Sequence, residues 1–126
     1  MSVELNHTII HSRDNRESAE FFVDLLSLEV GEEWGPFIPV VLANGVTLDF
    51  ATIPEASITP QHYAFLISEA EFDAAFGRIQ ELGIAYYADP HQKLPGQINH
   101  NDGGRGVYFP DPSGHGLEII TRPYGG

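Results

Sequence analysis

Cysteine is absent from the 126 residues, which excludes disulfides, thiolate nucleophiles and thiolate metal sites. Positive charge is almost as scarce. Lys and Arg number 6 against 18 Asp and Glu, the formal charge is -12, and Lys93 is the sole lysine. A balance this acidic argues against a nucleic-acid backbone as partner, because that affinity rests on Lys and Arg displacing counterions. It argues equally against docking on anionic membranes. No apolar run approaches the length of a membrane span, and Met1-Ser2-Val3-Glu4 opens with no basic or apolar signal segment. The expectation is a soluble, cytoplasmic protein of one domain, residues 1–126. What the chain does have is enough apolar material for a core: hydrophobic residues make up 42%, with eight Phe, five Tyr and one Trp. It also has six histidines, many for its size.

The chain reads as one unit written twice, with a linker at 53–60 that holds Pro54 and Pro60. In the first half (1–53) the β-branched run 3–11 predicts a strand. Asp14, with Glu17 three positions on, carries the capping-box pattern and opens a helix whose apolar face is Ala19, Phe22, Val23, Leu25 and Leu26. Residues 28–34 and 37–43 read as strands parted by Gly35-Pro36. Asn44-Gly45 is a hairpin signal that sets 46–52 antiparallel to the strand before it. The second half (61–122) repeats this order: a strand at 61–67, a second capping box at Ser68 and Glu71, then a helix. That helix bears Phe72, Ala75, Phe76, Ile79 and Leu82 and stops at Gly83. Strands follow at 84–88, 106–109 and 117–121, the last two joined by the turn Asp111-Pro112-Ser113-Gly114. Residues 89–105 read as a long polar loop and 123–126 as a loose tail.

The duplication matches at two places. His7-Thr8-Ile9-Ile10 stands opposite His62-Tyr63-Ala64-Phe65 at the start of each half, and Leu48-Asp49-Phe50 opposite Leu117-Glu118-Ile119 at its end. Each half thus offers one His on its first strand and one carboxylate on its last. Strand alternation puts His7 with Leu5, Ile9 and His11, and His62 with Ala64 and Leu66. Asp49 falls away from Leu48 and Phe50, and Glu118 away from Leu117 and Ile119. The helices are expected to cover the more apolar face and to leave the His and acid side chains on the other. Two neutral imidazoles and one or two carboxylates converging on a point make a site for a divalent first-row metal with open coordination positions. Without thiolates, Zn, Ni, Co, Mn and Fe(II) all remain in play. One such His or acid alone is more often an ordinary strand residue; repetition at matching places singles these four out. Glu118 also sits inside the apolar run Leu-Glu-Ile-Ile, where an unpaired carboxylate is costly to bury. His115 reads as a turn residue and His11 as a rim residue. His91, Lys93, His100 and Arg105 fall on the long loop, with Arg105 the choice for an anion contact. Trp34 and Phe37 either line the open face or pack in the core.

The run Tyr108-Phe109-Pro110-Asp111-Pro112-Ser113-Gly114-His115-Gly116-Leu117-Glu118, with the doubled βαβββ order and the strand-borne His7 and His62, resembles the vicinal oxygen chelate superfamily. That group includes glyoxalase I, fosfomycin-modifying enzymes, extradiol dioxygenases and bleomycin-resistance proteins. The resemblance implies an α+β fold in which two tandem βαβββ modules form a cupped mixed sheet with helices on the convex face. It implies His7, His62 and Glu118 as metal ligands, and Asp49 as a fourth ligand or general base, although an Asp is one methylene shorter than the Glu usual there. His100, Tyr108 and Glu118 also resemble the extradiol signature, where the Tyr contacts a bound catecholate. The His that signature requires near the last strand of the first half is missing, and Asp49 stands in its neighbourhood. The function implied is a metal-dependent small-molecule enzyme, of glyoxalase-like lyase or isomerase type or a dioxygenase. In it a divalent metal chelates two substrate oxygens and stabilises an enolate or oxyanion. The alternatives are sequestration of an antibiotic or other small ligand without catalysis, as in bleomycin resistance, and extradiol ring cleavage. A homodimer is implied, with modules pairing within or between chains.

Overall fold

Asp14 starts the first helix by turning its carboxylate onto the chain ahead: Oδ1 accepts the Glu17 N–H at 3.0 Å, and α1 runs Asn15–Leu26. The reciprocal half of the box is not made, because Arg13 holds the Glu17 carboxylate at 2.7 and 3.0 Å. Ser68 and Glu71 make both halves, at 3.1 and 2.9 Å, and open α2, Glu69–Glu81. Gly83, at φ 67°, turns the chain away after α2. Leu82, read from sequence as part of the apolar face, is instead the C-cap and lies largely in solvent.

In a computed structural model that describes residues 2–124, the chain divides into two units, one reaching to Thr59 and the other starting at Pro60. Each holds one helix and one three-stranded mixed sheet, the α+β, two-module architecture implied by the sequence. The first sheet comprises β1 (His7–Ser12), β2 (Phe37–Val41) and β3 (Thr47–Thr52), in the order β1-β3-β2. The second comprises β4 (His62–Leu66), β5 (Gly106–Pro110) and β6 (Gly116–Ile120), in the order β4-β6-β5. In both, the first strand runs parallel to the last and the middle one antiparallel to it. Among the described residues no helix is long and apolar enough to cross a membrane.

The sequence over-read three strands, each for a physical reason. β1 begins at His7 rather than at residue 3, because its partner β3 begins only at Thr47, whose N–H to the Asn6 carbonyl at 3.0 Å closes that end of the ladder. The segment 28–34 makes only isolated bridges, Val30 with Val40 and Trp34 with Phe37. The strand it would extend carries Pro39, which has no N–H to continue a ladder, so only the Gly31 N–H to Pro39 carbonyl bond forms there, at 2.8 Å. Likewise 84–88 reduces to Tyr87, which pairs with Tyr108 through two 2.9 Å bonds and also bridges Pro95. The loop that follows is more ordered than its composition suggests: the Asp89 carboxylate accepts the Lys93 and Leu94 N–H groups, and Asn99 pairs with Gly106.

In the first unit α1 covers one face of its sheet, where Ile10, Ile38, Val40, Leu48 and Phe50 are buried with Ala19, Phe22 and Leu25. The Phe22 and Phe50 rings meet at 5.1 Å. In the second unit Val107, Phe109, Leu117 and Ile119 are buried, as are Phe72, Ala75 and Ile79 of α2. The opposite faces share one register. His7 lies across from Thr47, and Asp49, two positions on, sits between Ile9 and Pro39. His62 lies across from Gly116, and Glu118, two positions on, sits between Ala64 and Tyr108.

Candidate functional site

That register places His62 over Glu118. The Nδ1 of His62 is 3.1 Å from the Gly116 carbonyl, which can only accept, so Nδ1 carries the hydrogen. The Nε2 is 3.1 Å from Oε1 of Glu118, which as a carboxylate also only accepts. With the hydrogen on Nδ1, Nε2 and Oε1 face each other across a gap that a proton or a metal cation bridges. Glu118 is 1% exposed, in a setting where an uncompensated carboxylate is expensive. An imidazole nitrogen facing a carboxylate oxygen is a donor set suited to a divalent first-row metal.

Two phenols attend the carboxylate. Tyr124 donates its hydroxyl to Oε1 at 2.9 Å. The Tyr108 ring stacks on His62, with centroids 6.0 Å apart and planes at 27°. Burial first, and then the hydrogen bond to Glu118, push the Tyr108 hydroxyl well above the usual phenol range, so it stays protonated and able to donate. Tyr124 is shifted the same way, chiefly by its bond to Glu118. Beside the pair, at the His62 end of the sheet, lies a pocket of about 100 Å³ lined by His62, Tyr108, Tyr87, Pro90 and Gln92 among others.

The first unit holds the other two residues singled out. His7 is exposed and its Nδ1 meets Asn6 Oδ1 at 2.7 Å. Asp49 is 4% exposed, and its Oδ1 has no hydrogen-bond partner among the described residues. Within neither unit do the described residues gather three His, Asp or Glu side chains as a ready metal cluster. What the structure brings together is His62, Glu118 and Tyr108.

The remaining candidates separate. His100 is exposed at the start of the short 3-10 turn Asn101–Gly103. Arg105, read from sequence as an anion contact, already has its anions: Glu69 at 2.8 Å and Asp73 at 2.9 Å, with the guanidinium 4.4 Å over the Phe72 ring. A charged side chain on a strand leading to a site and one facing an acidic helix look alike in sequence. His115 is buried and its Nδ1 accepts the Gln61 N–H at 3.0 Å, tying the β5–β6 turn to the start of β4, in keeping with a turn residue. Trp34 and Phe37 form an aromatic pair, centroids 4.8 Å apart, with Trp34 56% exposed and so outside the core. Sequence reasoning missed Tyr124. The segment 123–126 was read as loose, yet Tyr124 reaches Glu118; Gly125 and Gly126 lie outside the described residues. The one signal was a lone aromatic between Pro and Gly.

The family model described as the Glyoxalase/Bleomycin resistance protein/Dioxygenase superfamily matches residues 4–119. The chain is similar to a glutathione transferase, FosA, from Serratia marcescens: 26% identical over an alignment of 126 residues, covering 94% of this chain and 81% of that protein. Among solved structures it is similar to Oxidase ChaP-H2, with 60% identity, a TM-score of 0.95 and coverage of 99% of this chain and 98% of that one. It is similar also to Oxidase ChaP-H1, with 54% identity, a TM-score of 0.94 and coverage of 99% and 100%. With nearly its whole length matched by the family model, the chain belongs to the Glyoxalase/Bleomycin resistance protein/Dioxygenase superfamily.

Proposed function

We propose that this protein is a metal-dependent oxidase acting on a small molecule that presents two neighbouring oxygens, with a divalent metal held by His7, His62 and Glu118. The observation that carries the reading is the His62–Glu118 pair, an imidazole nitrogen and a buried carboxylate oxygen 3.1 Å apart that together form a donor set for a divalent cation. A relative at 60% identity across 99% of this chain bears the name oxidase, which favours oxygen chemistry over glyoxalase-type isomerisation. A centre with two His and one carboxylate, when bound, supplies a Lewis acid with open positions for substrate oxygens, and Fe(II) is the metal that suits dioxygen there.

The chain's own residues have distinct roles. The Gly116 carbonyl fixes the His62 tautomer, so that Nε2 presents its lone pair. Glu118 supplies negative charge in a dry setting, and Tyr108, kept protonated, donates a hydrogen bond toward substrate or carboxylate. Asp49, with an oxygen that has no hydrogen-bond partner among the described residues, is the base that takes a proton from a substrate hydroxyl, or else the fourth ligand. His100, from the loop, is a substrate contact. A second copy completes a homodimer.

The test is metal loading followed by oxygen uptake. Protein stripped of metal is reloaded anaerobically with Fe(II), Mn(II), Co(II), Ni(II) or Zn(II), then offered catechols and hydroxyquinones in air. The expected result is oxygen consumption with Fe(II) and none with Zn(II), lost in His7→Ala, His62→Ala and Glu118→Ala together with bound metal. Equal metal content in the wild type and all three variants would overturn the site. Full metal content with tight ligand binding and no oxygen uptake would favour sequestration. Consumption of glutathione without oxygen would favour transfer chemistry like that in the name of the Serratia relative.

A further inference from the structure

Tyr124 stands outside every helix and strand, six residues beyond Glu118 and 51% exposed. A ring with half its surface in water gains little from packing, so its hydroxyl contact is what marks the position. That hydroxyl donates to Oε1 of Glu118 at 2.9 Å, and the same oxygen faces Nε2 of His62 at 3.1 Å. A carboxylate oxygen has two lone-pair directions. Tyr124 occupies one and leaves the one aimed at His62. Tyr108 approaches Glu118 from the neighbouring strand and Tyr124 from the chain beyond β6, and the two hydroxyls also hydrogen-bond each other, so the carboxylate is braced from two directions.

We propose that Tyr124 is a positioning residue for Glu118: its O–H holds the carboxylate in the rotamer that directs Oε1 at the cation site between Glu118 and His62. The inference rests on the metal reading above. Outer hydrogen bonds to a ligating carboxylate typically change metal affinity by about 10–100-fold. The last described residue of the chain then sets how tightly the site holds its metal.

The experiment titrates Co(II) into metal-free, full-length protein without oxygen, following the visible ligand-field bands, for wild type, Tyr124→Phe and Glu118→Ala. Tyr124→Phe is expected to weaken Co(II) binding about 10–100-fold and to shift the bands. A chain ending at Pro123 should behave as Tyr124→Phe does. Wild-type affinity in Tyr124→Phe, with Co(II) lost in Glu118→Ala, overturns the role of Tyr124 and leaves the metal site standing. A weaker affinity with wild-type ligand-field bands also overturns it, since the geometry around Co(II) is then unchanged. Undiminished Co(II) binding in Glu118→Ala takes down both readings.

Discussion

The Asp111 carboxylate is buried with its two oxygens treated unequally. Oδ1 accepts the N–H groups of Ser113 and His115, at 3.0 and 2.8 Å, and shapes the β5–β6 turn; Oδ2 has no hydrogen-bond partner among the described residues. Burial pushes the group above the usual aspartate range, and the backbone hydrogen bonds only partly offset it. In the window between the ordinary and the raised value the folded chain binds this proton more tightly than the unfolded one. Its contribution to stability is therefore full below the ordinary value and falls as pH rises through the raised one. Asp111→Asn keeps an Oδ1 acceptor and removes the titration. Urea midpoints at stepped pH should show wild type losing ground to the variant across that window and holding a constant offset above it; the opposite slope would mean that the fold favours the charged form. A second residue with no room to change is Gly104. A Cβ there would stand 2.6 Å from both Thr121 Oγ1 and Arg122 Cγ, and Thr121 Oγ1 already accepts the Arg105 N–H at 2.8 Å. Arg122 can swing aside, but Thr121 cannot without losing that bond. Gly104→Ala should cost about 1–3 kcal/mol by chemical denaturation.

The two helices were legible because their signals are local. Asp14 and Ser68 each sit three residues before the N–H they cap, and no long-range partner is needed to recognise them. They differ in a way only the structure reveals: Glu71 closes its box onto Ser68, whereas Glu17 is taken by exposed Arg13. Ser68→Ala should therefore destabilise by about 1 kcal/mol. Glu71→Ala should cost more than Glu17→Ala, because the latter loses mainly a surface ion pair of small worth; thermal melts of the three variants check the order. The segments 28–34 and 84–88 were misread for the opposite reason. Their apolar residues suit a strand, but pairing depends on what the neighbouring strand offers, and Pro39 offers no donor. Arg105 failed likewise: its partners Glu69 and Asp73 lie 36 and 32 positions back, on a helix face that one-dimensional spacing does not bring to mind.

The doubled architecture was the most legible feature of all, since the match of His7 with His62 and of Asp49 with Glu118 survives as one register in two sheets. What the sequence concealed is that the copies are not equivalent. Glu118 faces an imidazole nitrogen and accepts from Tyr124, whereas Asp49 has an oxygen with no hydrogen-bond partner among the described residues and the Nδ1 of His7 is turned to Asn6. Elemental analysis of metal-loaded protein should accordingly find about one divalent ion per chain, not two, and light scattering a particle of about twice the 13.9 kDa chain. Two ions per chain would show that Asp49 anchors a site of its own. The position across the middle strand sharpens the contrast: Pro39 lies beside Asp49 where Tyr108 lies beside Glu118. The molecule thus carries its own reference state, the same strand geometry holding an acid once with a phenol next to it and once without. Replacing Tyr108 by Phe, which keeps the backbone N–H bonded to Tyr87, would ask what a single hydroxyl contributes to a buried acid, with Asp49 beside Pro39 as the blank.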